Sequence, residues 1–177
     1  MMFLNLVNKF LALATIGSQI FIALAIIYIV LPYKKGKISN FFAKNGVVFA
    51  FVVSLAATAG SLFYSNYAGY VPCNLCWFQR IFMYPEVILL GLALIKKDEK
   101  IIDYSLALSL IGLVISIYHN YIIFKGLHSV VCTISEPCAT NYVLEYGYVT
   151  IPMMALTAFA LVSLLLIIKR WKKILVN

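Results

Sequence analysis

Two cysteines and an arginine stand in Pro72-Cys73-Asn74-Leu75-Cys76-Trp77-Phe78-Gln79-Arg80, with the spacing of thiol–disulfide chemistry. A Cys-x-x-Cys pair can close into a disulfide within one helical turn, and such pairs often hold one reactive sulfur. A helix that starts near Pro72 to Asn74 places Cys76 in its first turns. There the unpaired backbone N–H groups and the positive end of the dipole favour a thiolate. Arg80 follows four residues later on the same face, its permanent charge within reach of that sulfur. The guanidinium would also repel a divalent cation, which argues against a zinc half-site. A purely structural bridge is a poor explanation too, because so short a loop constrains the unfolded chain very little. Redox chemistry is the remaining reading.

A second pair closes Cys132-Thr133-Ile134-Ser135-Glu136-Pro137-Cys138, where Pro137 imposes an extended or turn geometry on Glu136. Treated as a closed loop, its chain-entropy contribution is about 2.4 kcal/mol, modest for a bridge whose purpose is stability. A pair on an outer loop suits exchange with the thiols of another protein. His119, in Ser116-Ile117-Tyr118-His119-Asn120-Tyr121, falls at about the depth of Arg80. A histidine at an interface commonly serves as a solvated anchor, but beside the cysteines it could donate to a carbonyl or shuttle a proton.

These residues must be positioned inside a membrane. The chain has 177 residues, of which 64% are hydrophobic and 11% charged, outside the range of soluble domains. Five stretches meet the requirement of about 20 mostly apolar residues for a helical span. They are Phe10 to Leu31, Gly46 to Tyr64, Trp77 to Ile95, Ile101 to Phe124 and Thr150 to Ile168. Continuous apolar runs of this length predict helices, not the alternating strands of a barrel. The net charge of +8 does not point to nucleic acid, because the cations flank the spans. Lys34, Lys35, Lys37 and Lys44 fill the first connection, Lys96, Lys97 and Lys100 the third, and Lys169, Arg170, Lys172 and Lys173 the C-terminal end. By the positive-inside rule these clusters are cytoplasmic, so the N-terminus is outside and the C-terminus inside. The connections Ser65 to Cys76 and Lys125 to Tyr148 then face outward with all four cysteines, where disulfides are permitted.

The remaining features are read in chain order. The first apolar run is too long for a cleaved signal peptide, and its lysines follow it. Gln19 within it is expected to hydrogen-bond a neighbouring helix. Ser54, Thr58, Gly60 and Ser61 form a close-packing face on the second span. Tyr64, Tyr67 and Tyr70 read as an interfacial aromatic belt. Pro85 should kink the third helix. Glu86 beside it either faces a functional cavity or bonds a neighbouring helix.

The chain resembles the DsbB/BdbC family of disulfide bond formation proteins, thiol:quinone oxidoreductases of the bacterial cytoplasmic membrane. The resemblance rests on the Pro72 to Arg80 motif, the Tyr118-His119 end of the fourth span, the Cys132 to Cys138 pair and Tyr148-Val149-Thr150-Ile151-Pro152. It covers about residues 45 to 170 and is closest to the shorter BdbC-like branch. It implies a four-helix bundle over 41–177 with two cysteine-bearing outer loops, preceded by an extra transmembrane helix and linker over 1–40. It implies a quinone, ubiquinone or menaquinone, beside the membrane-proximal pair, and a thioredoxin-like thiol oxidase as partner. By analogy Cys132 forms the mixed disulfide with that partner, Cys138 exchanges with Cys73, and Cys76 reacts with the quinone. Arg80 matches the quinone-site arginine, and His119 corresponds to a histidine near that site. Two other classes use similar residues. Vitamin K epoxide reductase-like enzymes share the bundle and two cysteine pairs, but their Cys-x-x-Cys follows the loop pair. A metal-binding membrane protein would take Cys73, Cys76, Cys132, Cys138 and His119 as ligands.

Overall fold

The computed structural model describes residues 2–30, 37–126, 132, 138 and 142–176. Lys34, Lys35 and the Glu136-Pro137 turn lie outside the described residues. The protein is an all-α integral membrane protein with five helices long and apolar enough to cross a bilayer. They are α1 (Met2–Val30), α2 (Lys37–Leu62), α3 (Asn74–Lys96), α4 (Glu99–Lys125) and α5 (Ile151–Val176). All five predicted spans are present: Trp77 to Ile95 and Ile101 to Phe124 lie inside longer helices, whereas Tyr64 falls in a π-helical turn after α2, Thr150 just precedes α5, and Leu31 lies outside the described residues. The excess length arises because the helical hydrogen-bond ladder continues through polar flanks such as Lys9 and Lys100, where apolar content alone would have stopped it.

Helix ends follow local chemistry. Asp98 accepts from the Lys100 backbone N–H at 2.9 Å and opens α4. Gly126, with φ of 61°, closes it in the left-handed conformation that glycine adopts without a Cβ penalty. Between α2 and the loop that leads to α3, Phe63–Tyr67 form a π-helical turn. α3 runs unbroken through Pro85.

α5 packs against α2 and α4, α3 packs against α2 and α4, and α1 lies on the α5 side of this four-helix bundle. One core cluster joins Val47, Ala50, Leu90, Ala93, Ile102, Leu161, Val162, Leu165 and Leu166. Between α4 and α5 the Phe159 ring lies against Gly112, in space that a Cβ there would overlap. Close packing of a large ring on a glycine substitutes for a hydrophobic driving force that lipid cannot supply. Arg170 of α5 pairs with Asp103 of α4, at the end of the bundle that carries Lys96, Lys97 and Lys169.

Two buried polar features join the helices. Glu86 is fully buried and accepts from the Ser105 hydroxyl of α4, and it does not line the large cavity described below. Of its two readings, the interhelical bond is the one observed. Ser109 and Ser163 meet at 2.8 Å and link α4 to α5. Gln19 bonds neighbouring elements as expected, donating to Thr157 Oγ1 at 3.1 Å and accepting from Tyr148 Oη at 2.8 Å.

Candidate functional site: two thiol pairs at the head of a membrane cavity

α3 begins at Asn74 with Cys73 as its N-cap, so the Cys-x-x-Cys spans the start of the helix. Cys73 Sγ and Cys76 Sγ are 3.1 Å apart as free thiols. Cys132 and Cys138 are joined in a disulfide. Tertiary folding brings the pairs together: Cys73, Leu75, Ile122 and Cys138 form one buried cluster, with Cys76, Cys132 and Ile115 packed against it. Cys138 is buried and Cys132 only half-buried, which leaves Cys132 the more accessible sulfur of the loop pair.

His119 is fully buried, not a solvated anchor, and it connects the two pairs. Its Nε2 lies 3.2 Å from the Cys138 carbonyl and 3.8 Å from Cys73 Sγ. A carbonyl can only accept, so Nε2 carries the hydrogen and Nδ1 is left as an acceptor. The Gln79 amide donates to that Nδ1 at 3.2 Å. Gln79 is itself buried, and it fixes both ring orientation and tautomer.

The acidic thiol of the pair is Cys73, not Cys76 as the position of Arg80 suggested. Cys73 is drawn down to about 4, first by the hydrogen bond with the Cys76 thiol and then by His119, against the opposing effect of burial. Arg80 Nη2 donates to the Ser61 carbonyl at 3.2 Å, and its Cζ lies 5.2 Å from the centroid of the Trp77 ring. Ser61 stands where α2 passes into the π-helical turn, and its carbonyl also accepts from the Ser65 hydroxyl at 3.2 Å. Such widened turns recur at functional sites.

Beneath the thiols is a cavity of about 650 Å³, within the range of small-molecule sites. Cys73, Cys76, Gln79, Arg80, Met83 and Tyr84 of the α3 region and His119 of α4 line its polar end. Tyr64, from the π-helical turn, is buried rather than interfacial and also lines it. Its hydroxyl has no hydrogen-bond partner among the described residues. A buried hydroxyl without a partner is costly, so this one marks a place for a ligand acceptor. Tyr64, Tyr70 and Tyr142 stack in series, with centroids 5.9 and 4.7 Å apart, and tie the two cysteine-bearing connections together above the cavity. Tyr67, 66% exposed, is the member of the predicted belt that stays at the surface.

The alternative metal-ligand set loses Cys132 and Cys138 to their disulfide. The ligand atoms of Cys73, Cys76 and His119 do lie within 4.8 Å of one another, but the Nε2 hydrogen is engaged by the Cys138 carbonyl.

The sequence reading missed Gln79, Tyr64 and the α1 residues Leu11, Ala14, Thr15 and Ser18 that complete the cavity wall. Gln79 was open to detection as a polar residue three positions after Cys76, on the helical face of the thiol. Nothing local distinguishes Tyr64 from its neighbours Tyr67 and Tyr70.

Comparison with known proteins identifies the scaffold. Residues 43–169 match the family model of disulfide bond formation protein DsbB. The chain belongs to the DsbB family. It is 43% identical over 126 residues to a probable disulfide formation protein of Oceanobacillus iheyensis, covering 70% of this chain and 87% of that one. It is 38% identical over 138 residues to disulfide bond formation protein C of Bacillus subtilis, covering 73% and 98%. The SPbeta prophage-derived disulfide bond formation protein B of Bacillus subtilis is 42% identical over 135 residues, covering 74% and 91%. No solved structure matches the chain. The family supports an oxidoreductase role in disulfide formation, and α1 with its linker precedes the matched residues.

Proposed function

We propose that the protein oxidises an extracytoplasmic thioredoxin-like dithiol oxidase and delivers the electrons to a membrane quinone. The observation that carries this reading is the joining of a loop disulfide and a buried dithiol in one cluster, at the head of a cavity within the bundle. The residues fit a quinone on two counts: the cavity is largely apolar, and its polar end offers donors from Arg80 and the unpartnered Tyr64 hydroxyl. When bound, the quinone accepts two electrons and two protons to become a quinol.

The chain's own residues then have distinct roles. A partner thiolate attacks Cys132, the accessible sulfur, and Cys138 leaves as thiolate. The partner's second thiolate attacks its own bridged sulfur and departs as a disulfide, leaving Cys132 and Cys138 reduced. Cys138 next attacks Cys73 in an oxidised Cys73–Cys76 pair and displaces Cys76. Cys132 then attacks Cys138, re-forming the loop disulfide and releasing Cys73. The exchange ends with the loop pair oxidised and the membrane pair reduced. His119 serves it by donating to both the Cys138 carbonyl and Cys73 Sγ, which holds the two exchanging cysteines together. Its donation also stabilises Cys73 as a leaving thiolate. Cys76 and Arg80 lie on the cavity side and present the dithiol to the acceptor.

The test is to mix the purified protein with a reduced thioredoxin-like protein and a quinone and to follow quinol formation spectroscopically. Cys138→Ala is expected to accumulate the partner as a mixed disulfide on Cys132, seen as a reductant-sensitive adduct on a gel. An adduct that forms only when Cys132 and Cys138 are both absent would reverse the direction of the relay.

We further infer, from the basic residues at one end of the bundle, that this end is cytoplasmic and the N-terminus extracytoplasmic. A cysteine introduced at Lys97 is then expected to resist an impermeant maleimide in intact cells, whereas one introduced at Tyr67 reacts. Reaction at Lys97 alone would invert the orientation.

A further inference from the structure

The free thiols of Cys73 and Cys76 and the ring of His119 carry a second chemistry besides exchange. One ligand atom from each lies within 4.8 Å of the other two. The sulfurs are 3.1 Å apart, and Cys73 Sγ is 3.8 Å from His119 Nε2. Around a tetrahedral Zn²⁺, two sulfurs stand about 3.8 Å apart and a sulfur and a nitrogen about 3.5 Å. The sulfurs therefore need to open by about 0.7 Å, and Cys73 is already within about 0.3 Å of the separation required from His119.

The surroundings fit a bound cation. The Gln79 amide meets Nδ1 of His119 at 3.2 Å. While Nε2 holds its hydrogen on the Cys138 carbonyl, that amide donates; turned over, its carbonyl accepts from Nδ1–H and frees Nε2 to ligate. A hydrogen-bond acceptor on the far nitrogen is the common support of a metal-bound imidazole. Arg80, whose charge opposes a divalent ion, is drawn to the Ser61 carbonyl and braced on Trp77. Cys76 is only half-buried and lines the cavity with Cys73 and His119, which leaves a way in. Two sulfurs and an imidazole select a thiophilic ion over Mg²⁺ or Ca²⁺, which take oxygen. Two thiolates also balance a divalent charge, so the filled site adds no net charge to its low-dielectric surroundings.

We propose that reduced Cys73 and Cys76, with Nε2 of His119, bind one divalent cation of the Zn²⁺ class, and that this ion holds the pair in its dithiol state. The thiol protons leave to water, the imidazole hydrogen moves from Nε2 to Nδ1, and no electrons move. The fourth position of the tetrahedron is left to water. When the pair closes as a disulfide both thiolates are gone and the site with them, so metal binding and oxidation of the pair exclude each other. Binding does not depend on the acceptor being a quinone.

The experiment uses the full-length chain. In fully reduced Cys132→Ser/Cys138→Ser, which removes the loop thiols, Zn²⁺ is titrated against a chromophoric chelator and Co²⁺ serves as spectroscopic probe. One Zn²⁺ per reduced chain is expected, and none after diamide has oxidised the pair. Co²⁺ is expected to show thiolate charge-transfer bands and tetrahedral ligand-field bands. In the same background Gln79→Ala should weaken binding about 10- to 100-fold, and His119→Ala, which removes a ligand, by more. The reduced protein without substitutions gives an independent measurement. There Zn²⁺ should protect Cys73 and Cys76 from iodoacetamide, mapped by mass spectrometry, and slow their oxidation by diamide, and a chelator should reverse both. A reduced chain that binds no ion, or equal affinity in His119→Ala, overturns the proposal. So does alkylation or oxidation of the pair undiminished by Zn²⁺. If Zn²⁺ binds and protects as expected while the zinc-free protein reduces no quinone, the metal site stands and the acceptor reading fails.

Discussion

Arg80→Ala is expected to lower quinone reduction about ten- to a hundredfold while leaving thiol exchange with the partner much less affected. A guanidinium has five N–H donors in a planar fork. Here one nitrogen donates to the Ser61 carbonyl and the group is braced over Trp77, so it is held in place while other donors remain for the cavity it lines. Negative charge grows on a quinone carbonyl as electrons arrive, and a preorganised cation stabilises that developing charge more than the ground state. A charge-assisted hydrogen bond contributes about 1.5 to 3 kcal/mol, which sets the size of the effect. Arg80→Lys should recover only part of it, because an ammonium keeps the charge but lacks the fork that can hold Ser61 and a ligand together. Kinetics at saturating partner with varied quinone measure this. Unchanged turnover and unchanged apparent quinone affinity in Arg80→Ala would remove Arg80 from the mechanism. The same result would displace the acceptor from the polar end of the cavity.

His119→Ala is expected to raise the pH at which Cys73 loses its reactivity by about one to two units. In the native protein Cys73 lies well below the ordinary thiol range, so its thiolate is present at neutral pH and is lost as the pH falls through that lowered value. The hydrogen bond from Cys76 is the largest cause and survives the substitution, so the thiol stays below the ordinary cysteine range. What is removed is the Nε2–H donor 3.8 Å from the sulfur. A buried donor to a charged group contributes about 1.5 to 3 kcal/mol, and each pH unit corresponds to 1.36 kcal/mol. Carboxymethylation of the reduced protein, mapped to Cys73 by mass spectrometry across pH, gives the midpoint. Because the same hydrogen serves the Cys138 carbonyl, exchange between the two pairs should slow in parallel. A midpoint unmoved from that of the native protein would show that Cys76 alone sets the acidity.

Much of this protein is written locally in the chain. Apolar runs longer than a bilayer is thick can satisfy their backbone groups only as helices, so five spans follow from composition and length. The start of α3 at the Cys-x-x-Cys follows from local turn chemistry, and the lysine distribution suggests an orientation. The pairing of Cys132 with Cys138 across a short loop is the kind of contact that proximity in sequence favours. The rest depends on which faces of the helices meet. That His119 is buried between two thiol pairs, that Gln79 orients it, and that Tyr64 turns into the cavity while Tyr67 stays at the surface are consequences of helix rotation. In lipid, apolar residues cover every side of a helix, so hydrophobic periodicity carries little information about rotation. The same reason hid the contribution of α1. Its apolar residues are spread over every side, and only its packing against α5, with a gap toward α2, makes its small residues part of the site. Arg80 shows the limit most directly. Its i, i+4 spacing from Cys76 placed it on the thiol's face, and a carbonyl at the end of α2, distant in sequence, decided where its guanidinium points.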